Sequence, residues 1–156
     1  MAGGLVAEAL TEENLEALVE LLAAVDASHF GHTSRESAER FLEEPEDVHV
    51  LGRAGGEAVA FGMLRGWHEG FREPSLGIAV RQNAEGRGHG RSMMEILREA
   101  ALARGATSIR LRVHPENERA QRLYEACGYA VVGDERGELL MRLHLDPETP
   151  NLQSPE

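Results

Sequence analysis

The stretch LGIAVRQNAEGRGHG, Leu76 to Gly90, followed by RSMMEILREAALAR, Arg91 to Arg104, decides how the chain folds. Leu76 to Val80 is a short apolar run of the kind that forms a buried strand. Asn83 to Gly90 is polar and glycine-rich, which predicts a turn. Beyond it Met93, Leu97, Ala100 and Ala101 recur at helical spacing, and Gly105 stops the pattern. A strand therefore passes through Gly86, Gly88 and Gly90 into the N-terminus of a helix. Such a terminus exposes unpaired backbone N–H groups and carries about half a positive charge from the macrodipole. Arg87 and Arg91 add full charges, and Arg81 extends the basic island. These features predict a phosphate or pyrophosphate site. The structural alternative is that the glycines only make a tight turn.

The glycine spacing, Gly86-x-Gly88-x-Gly90, is neither the dinucleotide-binding G-x-G-x-x-G nor a Walker loop, because no Gly-Lys-Ser/Thr follows. A second stretch lies about thirty residues on: Asn117-Glu-Arg-Ala120-Gln-Arg-Leu123-Tyr124-Glu125-Ala-Cys-Gly128-Tyr129. Together the two stretches resemble the GNAT superfamily of acyl-CoA-dependent N-acyltransferases. That family carries R/Q-x-x-G-x-G/A in its pyrophosphate loop and N-x-x-A-x-x-L-Y-E-x-x-G-F/Y on the helix forming the other wall of the cofactor cleft. The first pattern is matched at Gly88 and Gly90 but has Glu85 at its leading position; the second is matched throughout. The likeness covers roughly Val48 to Leu145.

Composition sets bounds around this core. A chain of 156 residues, 42% hydrophobic and 28% charged, suits one soluble domain over residues 1–146, with 147–156 read as a disordered tail. No apolar run approaches the roughly 20 residues that span a bilayer. The N-terminus shows no basic-then-hydrophobic signal peptide pattern. The single cysteine, Cys127, excludes an internal disulfide and a multi-cysteine metal site, and the expected setting is reducing and cytoplasmic. A net charge of −11 disfavours nucleic acid and anionic membrane surfaces and favours cationic ligands such as amines.

The remaining chain reads as alternating elements. Gly4 to Leu10 is a short strand. Thr11 caps a helix with the stripe Leu15, Leu18, Val19, Leu22, Val25. Thr33-x-x-Glu36 is a capping box for a second helix, ended by Pro45. Val48–Arg53 and Glu57–Trp67 form a hairpin across Ala54-Gly-Gly56. In its second strand Val59, Phe61, Met63, Arg65 and Trp67 share one face. Ala58, Ala60 and Gly62 share the other, a small-residue face suited to a closely packed helix. Ser108 to Val113 alternates with Ile109, Leu111 and Val113 inward. Gly128 suits the left-handed end of the motif helix. Tyr129–Val132 and Glu138–Leu145 are the last strands, joined by Asp134-Glu-Arg-Gly137. The resemblance implies an α/β fold: a mixed, mostly antiparallel sheet, helices on both faces, and a parallel pair, Leu76–Val80 and Ile109–Val113, that splays around the cofactor.

What the resemblance implies chemically is transfer of an acetyl group from acetyl-CoA to a primary amine of a small molecule or peptide. The alternative is an acyl-CoA-binding sensor or regulatory domain without turnover. By the family pattern the pyrophosphate rests on the amides of Gly86, Arg87, Gly88, His89, Gly90 and Arg91, and the pantetheine arm pairs with the backbone of Ile78, Ala79 and Val80. Glu85 beside phosphates is unfavourable unless it turns to solvent or pairs with Arg87. Asn117 is either a cofactor contact or a helix N-cap, and the two roles can coexist. Tyr124 is the family's usual acid, while its i, i+3, i+4, i+7 register with Ala120, Leu123 and Cys127 also fits a core tyrosine. The family's usual base positions are Leu76 and Arg112 here, so neither supplies a carboxylate. His68, Glu69, Glu73 and His114 are the nearby titratable groups, each with a solvated-loop reading beside it. The carbonyl of Ile78 with water is a further route. His29 and His32 flank Gly31 without a third ligand, and no metal is expected; with Phe30 they fall where the family often lines its acceptor site. Cys127 as an acyl carrier lacks a base partner and reads as a small buried thiol. Family members are often dimers, which leaves a homodimer open.

Overall fold

The computed structural model describes residues 5–25, 34–44, 46–66, 72–84 and 86–145. Seven strands form one sheet: β1 Leu5–Ala9, β2 Val48–Ala54, β3 Glu57–Arg65, β4 Ser75–Val80, β5 Ser108–Val113, β6 Ala130–Glu135 and β7 Glu138–His144. The helices are α1 Leu15–Ala23, α2 Arg35–Phe41, α3 His89–Ala103 and α4 Glu118–Ala126, with 3-10 turns at Glu12–Asn14 and Gln82–Ala84. Strand order is β1-β2-β3-β4-β5-β7-β6. Every neighbouring pair is antiparallel except β4 and β5. That parallel pair is joined at Ser75 and Arg110 alone, so the strands part beyond this point. The expected fold class and the splay are both present.

Two cores sandwich the sheet. On one face Leu18, Leu21 and Leu22 of α1 and Ala38 and Phe41 of α2 bury against Leu51, Ala58, Phe61, Met63 and Ala79. On the other, Met93, Leu97 and Ala101 of α3 and Tyr124 of α4 bury against Ala60, Leu64, Leu76, Ile109, Leu111 and Met141. Gly62 makes the α3 contact close: a Cβ there would lie 2.7 Å from Met93 Sδ and 2.8 Å from Leu97 Cδ1. Ala60 and Gly62 of the predicted small-residue face thus receive a helix, whereas Ala58, beyond a break in register, packs on the α1–α2 side.

Several local expectations are corrected. Gly52 pairs with Ala60 but Arg53 with Ala58, which makes Val59 the extra residue of a β-bulge. The bulge breaks the period of two, so Val59 joins Ala60 under α3 instead of sharing a face with Phe61 and Met63. β3 ends at Arg65, and Trp67 lies outside the described residues. The second helix is capped by Ser34, which accepts from the Ser37 N–H at 3.0 Å, one residue later than the expected box, and it ends at Phe41, before Pro45. Thr11 caps the 3-10 turn ahead of α1, in a reciprocal box with Asn14. The last hairpin is tighter than expected. Glu135 pairs with Glu138, and Arg136 and Gly137, at φ 56° and 83°, make a two-residue turn.

Candidate active site

The fork between β4 and β5 opens into a cleft of about 410 Å³. Ile78, Ala79 and Val80 form one wall, Gly86, Gly88, His89, Gly90 and Arg91 the rim, and Asn117, Arg119, Ala120, Leu123 and Tyr124 of the α4 segment the opposite wall. On its other side β4 is fully paired with β3, from Ala60–Val80 to Arg65–Ser75. Its edge toward β5 has no strand partner past Ser75, leaving backbone donors and acceptors facing the gap.

The rim is a helix N-terminus, two residues earlier than the expected start at Arg91. Gly88, at φ 84°, is the N-cap and His89 the first helical residue. The Ser92 N–H donates to the Gly88 carbonyl at 3.0 Å, so the amides of His89, Gly90 and Arg91 have no intrahelical acceptor. Gly86, at φ 83°, also needs glycine. Gly90 has a different reason: a Cβ there would lie 3.1 Å from Leu123 Cδ2, so its bareness lets α3 close on α4. His89 Nδ1 is buried without a hydrogen-bond partner. Glu85 lies outside the described residues.

The basic island differs in membership from the one predicted. Arg81 turns away: its Nε and Nη2 donate to the Ala58 carbonyl at 3.2 and 3.1 Å, and Glu57 stands 3.8 Å off. Arg119 replaces it. It lines the cleft, and its Nη2 would lie 3.3 Å from a Cβ on Gly86. Sequence reasoning passed over Arg119 because only the fold brings the first turn of α4 to the loop. Val25 and Ala84 are further lining residues without a functional signal. They arrive because the Gln82 N–H donates to the Ala24 carbonyl at 3.0 Å, tying the end of α1 to the turn after β4.

Asn117 caps α4, its Oδ1 accepting from the Ala120 N–H at 3.2 Å, and it lines the cleft as well. Tyr124 is 7% exposed, packs its ring 6.2 Å from that of Tyr129, and lines the cleft. Burial, with a smaller contribution from Cys127, pushes its phenol well above the ordinary tyrosine range. Burial likewise pushes the Cys127 thiol up, away from a reactive thiolate.

The four titratable candidates do not gather at the cleft. Glu73 is bound at the joined end of the fork: Ser108 Oγ donates to it at 2.7 Å, and Arg142 donates through Nε and Nη2. Burial pushes its carboxyl up, but the hydrogen bonds from Arg142 and Ser108 outweigh that, and the net shift is downward. His114 is exposed beyond β5, where its Nδ1 accepts from the Glu116 N–H at 3.2 Å. His68 and Glu69 lie outside the described residues, as do His29, Phe30 and His32. Leu76 is core, and Arg112 pairs with Glu135 and Glu138 at 3.3 and 3.8 Å. Among the described residues lining the cleft there is no carboxylate.

The profile of the acetyltransferase (GNAT) family matches residues 15–129. The chain belongs to the GNAT family. It is similar to an acetyltransferase of Pectobacterium atrosepticum, 26% identical over 121 residues, covering 78% of this chain and 84% of that one. Among solved structures, the GNAT fold here resembles the PaiA N-acetyltransferase of Thermoplasma acidophilum in complex with coenzyme A. The TM-score is 0.76 at 16% identity, over 90% of this chain and 99% of that one. The ribosomal-protein-S18-alanine N-acetyltransferase of Escherichia coli shares the fold at a TM-score of 0.71 and 21% identity, over 91% and 94% of the two chains. No helix among the described residues is long and apolar enough to cross a membrane.

Proposed function

We propose that this GNAT protein moves an acetyl group from acetyl-CoA to a primary amine of a small molecule or peptide, by direct attack on the thioester. One observation carries the reading: an unpaired strand edge, a helix N-terminus and a buried tyrosine converge on one cleft. The donor set suits a pyrophosphate. The amides of His89, Gly90 and Arg91 supply N–H groups, Arg91 and Arg119 supply charge, with the exposed Arg87 between two lining glycines, and the orphaned His89 Nδ1 offers one more polar contact. Ile78 to Val80 offer backbone pairing to an amide-bearing arm. Acetyl-CoA would supply the activated acetyl group and a thiolate leaving group.

Tyr124 then hydrogen-bonds the departing sulfur. A thiol near 8.5 and a phenol near 10 already make complete proton transfer uphill by about 2 kcal/mol. Burial raises the phenol further, so the hydroxyl stays protonated and acts as a donor rather than a full acid. A central-strand N–H polarises the acetyl carbonyl. The fall of the amine's proton goes through water and the Ile78 carbonyl.

The absence of a carboxylate among the described cleft residues favours a second reading, an acyl-CoA-binding sensor without turnover. Calorimetry with CoA and a steady-state assay of acetyl-CoA against an amine panel, with mass detection of products, separate the two. The enzyme is expected both to bind and to turn over; a sensor binds only. Gly88→Asp, which puts a side chain and a like charge at a residue with φ 84°, should abolish CoA binding. Unchanged affinity in the folded variant would remove the site.

A further inference from the structure

Away from the cleft, on the α1–α2 face, a second group of polar side chains has no explanation in acyl transfer. Glu44, just past α2, and Asp47 and His49, at the start of β2, each place one ligand-type atom within 4.8 Å of the others. Asp47 is 6% exposed and His49 9%. Asp47 Oδ1 accepts from the Gly66 N–H at 3.2 Å, but its Oδ2 is buried with no partner, and so is His49 Nε2. Buried polar atoms are almost always partnered, and here two orphaned ones belong to the same three-residue cluster. The His49 ring is fixed by stacking on Phe41, centroids 4.9 Å apart, with Phe61 beyond at 6.3 Å.

We propose that Glu44, Asp47 and His49 hold a divalent transition-metal ion, zinc by preference, that clamps the end of α2 to β2. Imidazole with two carboxylates is a donor set that suits zinc among the common ions. Tetrahedral zinc with bonds of about 2.0–2.2 Å sets its ligand atoms about 3.3–3.6 Å apart, so a set lying within 4.8 Å closes on the ion by side-chain shifts of about an ångström. The ligands are close in sequence, and the Asp47 N–H donates to the Glu44 carbonyl at 3.1 Å, so closing the set costs little chain entropy. The two carboxylates offset the positive charge of Arg65, whose field reaches His49. None of the three residues lines the cleft, so the ion is structural, and the proposal stands apart from the acyl-transfer reading.

The full chain, stripped with EDTA, is titrated with zinc chloride by calorimetry and followed by thermal melting. One saturable zinc per chain is expected, with a Kd in the micromolar range or tighter. The melting temperature should rise by about 5–10 °C when zinc reaches about a hundred times Kd. Loss of a partner outside the ligand shell typically weakens a metal site by about 10- to 100-fold, so removing a ligand should cost more than about tenfold. Asp47→Asn keeps an acceptor for Gly66 and should lose both the affinity and the melting shift. Glu44→Gln, at a half-buried position, reads the same effect if Asp47→Asn fails to fold. His144→Ala, an exposed histidine remote from the set in sequence, should change neither. Zinc uptake unaltered in Asp47→Asn or Glu44→Gln, or no saturable uptake in the wild type, would overturn the site and leave the space to a bridging water.

Discussion

Tyr124 sits where packing meets the proposed chemistry. Its ring is nine-tenths buried beside Tyr129, yet it lines the cleft. Tyr124→Phe removes only the hydroxyl, so CoA affinity should change by less than about threefold while turnover falls by about 10- to 1,000-fold, up to the usual range for a proton-transfer group. Unaffected turnover in the folded variant would make Tyr124 a core residue only. Glu73 presents the opposite case. Its ion pair with Arg142 joins the loop before β4 to β7 and is 24% and 33% exposed at its two ends. Glu73→Gln should cost about 1–3 kcal/mol, between the values for exposed and buried pairs. The carboxyl is depressed, so its stabilisation is complete above the ordinary carboxylate range and is lost as pH falls through the folded value. Denaturant melts of wild type and variant should therefore differ most near neutral pH and begin to converge only as pH falls below the ordinary glutamate value of about 4.3. A gap independent of pH would refute the ionic origin.

At the scale of elements, the position of α3 sets the rim of the cleft. Gly62→Ala forces a methyl against Met93 and Leu97, both fully buried. Overpacking of this kind costs about 1–3 kcal/mol. Because α3 begins at the rim, the same change should weaken CoA binding, measured by calorimetry, without touching any cofactor contact. Equal affinity with reduced stability would show that the loop is positioned independently of the helix. This β3–α3 contact was legible in the sequence, because Ala60 and Gly62 lie on one side of a strand and Met93 and Leu97 on one side of a helix. So were the glycine loop and the motif helix, whose signals are short-range. The Val59 bulge was not, since one inserted residue breaks the strand period without a compositional sign. Nor were the turning of Arg81 onto Ala58, the arrival of Arg119 at the loop, or the capture of Glu73 by Arg142, 69 residues away. Each of these depends on a tertiary neighbour that periodicity does not name.

At the scale of the molecule, the proposed transfer to an amine requires a proton to leave a cationic acceptor in a protein of net charge −11. The acidic surface attracts such an acceptor but also stabilises its protonated form. For a lysine-like amine near 10.4, reaching the neutral form at pH 7 costs about 4.6 kcal/mol. A positioned base typically contributes about 100- to 10,000-fold. Yet no carboxylate lines the cleft among the described residues, Glu73 is held by Arg142 and Ser108, and His114 is turned into a local bond with the Glu116 amide. The reading that follows is a shared route through water and backbone. Replacing His68, Glu69, Glu73 or His114 singly by Ala or Gln should then cost about tenfold or less in turnover. The wild-type rate should climb with pH toward the amine's own pKa, because the neutral amine population limits it. If one of these side chains is the base, its variant loses more than about a hundredfold, and the wild-type profile carries an inflection that disappears with that side chain. Glu73→Gln needs its stability loss separated first, by assaying well below its melting temperature. A hundredfold loss in any one variant that still binds acetyl-CoA would replace the water-mediated route with a named general base.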